Sequence, residues 1–177
     1  GVRAHGHGGT VLLTAPGAER ALPVRAKFEV GEHESLLAER FVEFLNTRHV
    51  LTEARLFESP GPGEWGADAT LAHLQNAAFA AEENLADAAD VVAGLTAVDG
   101  ALVLTSDLRL PGFGAEIVVD AGLPVIAHEV TGYVQTSGPG PVVDSESFGM
   151  RHRSALRCVS VADQTAAFVV SQDGGVS

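Results

Sequence analysis

Between residues 68 and 95, apolar side chains recur every three or four positions: Leu71, Leu74, Ala78, Ala81, Leu85, Ala88, Val92 and Leu95. That spacing is the repeat of an α-helix, and Glu82, Glu83, Asp87 and Asp90 take other positions around it. It predicts one amphipathic helix with Asp68 as N-cap and Gly94 near its end. A helix this long must lay its stripe on something, and the many alanines suggest close packing against a sheet. A coiled coil is the weaker reading, since alanine fills half the seam over roughly three and a half heptads.

The sequence around the helix supplies strands for such a sheet. Val11-Leu12-Leu13 reads as a short buried strand, entered from the glycine-rich Gly6 to Thr10 and ended by Ala15-Pro16-Gly17. From Val24 to Val30 the pattern alternates, with Val24, Ala26, Phe28 and Val30 opposite Arg25, Lys27 and Glu29, as in a half-exposed strand. Ser35 is expected to cap a helix whose apolar side is Leu37, Phe41, Phe44 and Leu45. Further strands are expected at 101–105, 115–119, 124–127, 132–135 and 166–171, with a turn at Pro111-Gly112-Phe113-Gly114 and a last turn at Asp173-Gly174-Gly175. A helix is expected from Ser154, with Cys158 to Val161 open to either helix or strand.

Strands mixed with helices predict an α/β fold, a mixed central β-sheet flanked by helices. Ser59-Pro60-Gly61-Pro62-Gly63 is the clearest break. It divides an N-terminal extension, 1–67, of two strands, one helix and that loop, from a core over 68–177. Ser137 to Pro141 reads as a second loop, and no internal repeat is visible.

Charge and composition restrict the partners. The chain has 177 residues, is 46% hydrophobic and carries a formal net charge of −12, which suits a folded protein and opposes nucleic-acid binding. No apolar stretch is long enough to span a membrane, and no secretion signal is recognisable. The opening Gly1, with Met150 the only methionine, predicts a processed or excised piece. A single cysteine excludes an internal disulfide and a cysteine-rich zinc site, so a reducing, cytoplasmic home is expected. Residues 68–177 hold 14 acidic and only four basic side chains. Three of the four, Arg151, Arg153 and Arg157, lie within seven residues, which suggests a local anion site on a repelling surface. Surface arginines paired with neighbouring carboxylates would give the same count.

Two short segments can carry chemistry. Asp99-Gly100-Ala101 joins the long helix to a strand. A carboxylate there can bind a hard cation bridging phosphates or take a proton from a hydroxyl, though Asp-Gly is also a common bend. Arg151-His152-Arg153, preceded by Gly149-Met150, puts guanidinium groups and free backbone N–H groups at a helix start, a setting for phosphate. A solvated basic turn is the alternative. The remaining candidates are weaker. His5 and His7 sit in a glycine-rich lead, while His33, His49, His73 and His128 have no ligand spacing. Ser35 and Ser171 lack a nucleophile elbow, Cys158 reads as a buried small hydrophobe, and Trp65 is an anchor or a core plug.

In order and context, Asp99-Gly100-Ala101 followed by Arg151-His152-Arg153 resembles the paired DGA and RHR motifs of the diadenylate cyclase (DAC) domain family. That family includes the nucleotide-binding domain of the DNA-integrity scanning protein. Leu95 to Val98 before the first motif, and Phe168-Val169-Val170-Ser171 as a closing strand, extend the resemblance over roughly 68–177. It implies a DAC-type fold that binds an adenine nucleotide, ATP or cyclic di-AMP. Asp99 would be the catalytic residue and metal ligand, serving Mg²⁺ or Mn²⁺ and the attacking 3′-hydroxyl. Gly100, Ala101, Arg151, His152, Arg153 and Ser171 would bind the nucleotide. An active cyclase would need two copies face to face, hence a homo-oligomer, and would condense two ATP into cyclic di-AMP and pyrophosphate.

The sequence also departs from the cyclase pattern. Met150 stands where threonine is usual, Ser147 where an acid is common, and Gln172 where glutamate follows the last serine. The segment from Leu102 to Met150 is also longer than is usual in cyclases. With the Gly8-Gly9-Thr10 opening and Gly112 to Glu116, this looks like the divergent DAC-related branch thought to sense nucleotides. A signalling sensor module is therefore the expectation, with an active cyclase as the alternative.

Overall fold

The computed structural model describes residues 8–31, 35–57, 65–130 and 140–170. Strand β1 (Gly9–Thr14) is followed by a 3₁₀ turn (Ala18–Ala21) and by two short strands, β2 (Val24–Arg25) and β3 (Phe28–Glu29). Helices α1 (Leu36–Phe57) and α2 (Trp65–Gly94) come next, then a 3₁₀ turn (Leu95–Ala97), β4 (Ala101–Thr105) and β5 (Gly112–Ile117). The chain goes on through β6 (Ala127–His128), β7 (Val142–Val143), α3 (Met150–Val161) and β8 (Thr165–Val170). The protein is thus mixed α/β, with a mixed sheet and, among the described residues, three helices. The expected strand at 132–135, the loops at 59–63 and 137–139, the turn at 173–175 and Ser171 lie outside those residues.

The sheet runs in the order β2-β5-β4-β1-β8, with β3 also on β5. β1 is parallel to β4 and antiparallel to β8. Residues 1–67, read from sequence as an extension, therefore supply a strand bonded on both sides. Alternation decides what the sheet buries. Leu12 and Val103, opposite each other in register, face a core shared with Leu22, Ala101, Ala115, Cys158 and Ala162, to which α3 brings Cys158. Cys158 is the buried hydrophobe expected, and burial pushes its thiol above the usual value. The stretch from Cys158 to Val161 is helical.

Several expectations need correction. α2 begins at Trp65, so Asp68 lies inside it and is not its cap. Its alanine stripe, with Ala78, Ala81 and Ala88 buried, packs on α1 and not on the sheet. Small side chains let two helices approach as readily as a helix and a sheet, so the stripe alone could not name its partner. In α1, Leu37 and Phe44 are half-buried and Leu51 is buried, whereas Phe41 and Leu45 are exposed, because only one stripe meets α2. Ser35 receives the Glu39 N–H with its carbonyl, but its hydroxyl donates to the Leu108 carbonyl at 3.0 Å, tying the helix start to the β4–β5 turn.

Of the expected turn at 111–114, Gly112 to Gly114 are strand. Gly112 is needed there because a Cβ would stand 2.8 Å from the Phe28 carbonyl oxygen across the β3–β5 pair. The chain reverses earlier. Leu108 takes a positive φ, its N–H donates to the Thr105 carbonyl, and Asp107 accepts from the Thr105 hydroxyl and from Arg109 Nε. The strand expected at 124–127 is reduced to β6, which pairs with β7 in a separate two-stranded sheet.

Candidate functional site

The turn after α2 delivers Asp99 and Gly100 to the start of β4. Gly100 has φ 119°, and a Cβ on it would lie 2.5 Å from the Gly114 carbonyl carbon and 2.8 Å from the Ala115 nitrogen. Its glycine is thus demanded by the backbone of β5. The irregular register between Ala101 and Val103 marks the same crowding.

α3 arrives at this end of β4 with its N-terminus. Gly149 is the N-cap, in extended conformation and without a side-chain cap, and the first intrahelical bond runs from Arg153 N to the Gly149 carbonyl. The N–H groups at the start of such a helix lack intrahelical acceptors and favour an anion. A cavity of about 410 Å³ lies here, lined by Asp99, Gly100, Ala101, Glu116, Met150, Arg151 and others. Asp99, Gly100 and Arg151 also line a smaller one of about 180 Å³.

Residues 52 positions apart in sequence therefore share a site. Asp99 and Arg151 form no ion pair with any described residue, which leaves a carboxylate and a guanidinium available to a ligand. Two other predicted residues turn elsewhere. His152 stacks on Phe148, with ring centroids 5.7 Å apart. Arg153 gives Nη1 to Glu146 at 3.0 Å, and Arg157 gives Nη2 to the other oxygen at 2.8 Å.

Thr10, Glu116 and Ser154 also line the larger cavity and were not among the predicted site residues. For Ser154 a signal existed, since it follows Arg151 by three residues and so shares its side of a helix. Thr10 and Glu116 reach the site by strand pairing, for which the sequence has no local sign.

Among the described residues, no three His, Cys, Asp or Glu side chains are grouped to cage a metal. Asp99 alone would suit a Mg²⁺ held by one carboxylate with substrate phosphates and water completing the shell, since the Glu116 carboxylate stands 3.7 Å from Arg25 Nη1. The site can therefore attract an anion through Arg151 and the helix start, and share a hard cation with it. No family model matches the chain, and no curated protein or solved structure matches it.

Proposed function

We propose that the chain is a DAC-type domain that binds an adenine nucleotide, ATP or cyclic di-AMP, as a sensor module. The observation that carries this reading is the meeting of Asp99 and Arg151 on one cavity at the N-terminus of α3. In this reading Arg151 and the first N–H groups of α3 hold phosphate, and Asp99 shares Mg²⁺ or Mn²⁺ with it.

Met150, 77% exposed on the cavity wall, brings a thioether where a hydroxyl would donate to phosphate. Arg153 is already occupied by Glu146. Both features favour binding over turnover, since in-line attack on a phosphate tolerates little misplacement. One observation favours the cyclase alternative. Asp99 is exposed at the cavity, as a group that must reach a nucleotide on a second, facing copy would be.

The test is equilibrium binding of ATP and of cyclic di-AMP, with a parallel incubation in ATP and Mn²⁺ analysed by chromatography. Binding without cyclic di-AMP is expected. Arg151→Ala should weaken binding by about 1.5–3 kcal/mol, the loss of a charge-assisted hydrogen bond. Arg153→Ala should cost less, and Arg55→Ala, in the last turn of α1, nothing. Robust cyclic di-AMP that disappears in Asp99→Asn would establish the cyclase instead.

A further inference from the structure

The buried polar side chains among the described residues are all threonines: Thr10, Thr14, Thr96 and Thr105. Three have satisfied hydroxyls. Thr14 bonds Thr165 at 3.1 Å, Thr96 donates to the Ala93 carbonyl at 2.6 Å, and Thr105 donates to Asp107. Thr10 is only 5% exposed, yet its hydroxyl has no partner among the described residues. A buried hydroxyl left so is costly and rare. Its oxygen is not sealed inside the packing, since the one fully enclosed orphan among the described side chains is Glu19 Oε2. Thr10 stands opposite Ala101 in the β1–β4 register, and both line the cavity at the start of α3, so the hydroxyl opens there. Ser154 lines the same cavity one turn along α3 from Arg151, and its hydroxyl is also without a partner among the described residues. Ser147 and Ser160, by contrast, each donate to a carbonyl three residues back, at 2.7 and 2.8 Å.

The charge on the wall limits what these hydroxyls can hold. One guanidinium, Arg151, is set against two carboxylates, Asp99 and Glu116, and Arg25 offsets one of them from 3.7 Å. A string of three phosphates would bring several negative charges to a wall with no positive surplus, whereas a phosphodiester brings one. We propose that Thr10 and Ser154 bind the ligand's phosphate as hydroxyl donors beside Arg151 and the first N–H groups of α3, in a site made for a phosphodiester. The proposal rests on the nucleotide reading above and chooses between its two ligands, cyclic di-AMP over ATP. Two neutral donors suffice for a singly charged group, where a triphosphate would call for further cations. They also supply the hydroxyl that Met150 lacks.

The test is calorimetric binding of cyclic di-AMP and of ATP to the whole chain in EDTA. Cyclic di-AMP should bind about tenfold more tightly than ATP. Thr10→Val, which keeps the shape, and Ser154→Ala should each weaken it about fivefold to tenfold. Ser160→Ala, near the far end of α3, should leave it unchanged. Thr10→Val breaks no hydrogen bond to a described residue, so its urea midpoint should hold or rise. A merely structural threonine would instead lower the midpoint and leave affinity alone. Unchanged affinity in both variants, or ATP binding as tightly as cyclic di-AMP, would overturn the proposal while the nucleotide reading stands. Ser154→Ala decides should β1 not accept valine. If neither nucleotide binds, dimethyl phosphate, a phosphodiester without a base, is titrated by NMR. Saturable shifts at Thr10, Arg151 and Ser154, lost in the two variants, would reject the nucleotide and keep the phosphodiester site. No shifts would overturn both.

Discussion

Gly100 shows how one residue can be read for the wrong reason. In the sequence, Asp99-Gly100 is either a bend or a site where a ligand approaches bare backbone. In the structure the close neighbours are Gly114 and Ala115, backbone against backbone, where nothing can swing aside. Gly17 has a positive φ as well, 87°, but nothing lies within 4 Å of its would-be Cβ. The pair separates conformational strain from collision. Gly17→Ala should cost about 1 kcal/mol, the penalty of a left-handed backbone alone. Gly100→Ala should cost more, about 3 kcal/mol, because the strand must also shift. Urea denaturation of both variants checks this, and equal losses would show that the β5 backbone is not what requires glycine at position 100.

The β4–β5 turn carries its own electrostatics at the scale of an element. The Thr105 hydroxyl, donating to Asp107, is the main cause holding that carboxyl below the usual aspartate range; the slight burial opposes it, and Arg109 adds to the lowering. A carboxyl lowered in the native state stabilises the fold above its unfolded value, near about 4, and that contribution fades as pH falls through the lowered native value. Asp107→Asn should therefore be less stable than the native chain at pH 7, with the gap closing as the pH falls through and below the ordinary aspartate range. Urea midpoints along that pH series measure it, and a gap independent of pH would mean the turn does not use the charge. In the 3₁₀ turn before α3, Glu146 plays a comparable part, gathering Arg153 and Arg157 away from the cavity and leaving Arg151 as the arginine that lines it.

Across the whole molecule the packing is uneven. β1, β4 and β8 are joined ladder to ladder with Leu12 and Leu102 fully buried, while α1 and α2 lean chiefly on each other. α1 keeps Phe41, Val42, Leu45 and Leu56 exposed on its outer side. Regions with few buried apolar contacts open at lower free energy than the core. Amides of α1 and α2 should therefore exchange hydrogen through a smaller opening than those of β1 and β4, as native-state exchange at rising denaturant would show. Merging of all four into one isotherm would mean that the helical pair is cooperative with the sheet.

Local pattern by itself determined the elements whose residues carry their own instruction. The α2 repeat, the apolar runs of β1, β4 and β8, and the glycine-preceded start of α3 were each legible because period and capping act over a few residues. The joint appearance of Asp99 and Arg151 was legible only as a resemblance between two motifs. Their shared cavity, the turning of Arg153 to Glu146 and the arrival of Thr10 and Glu116 were decided by tertiary structure. So were the partner of the α2 stripe and the interior place of β1, whose pairing joins Leu12 to Val103 across 91 positions. An apolar stripe states that a face must be buried, but which surface buries it depends on every other element competing for that place.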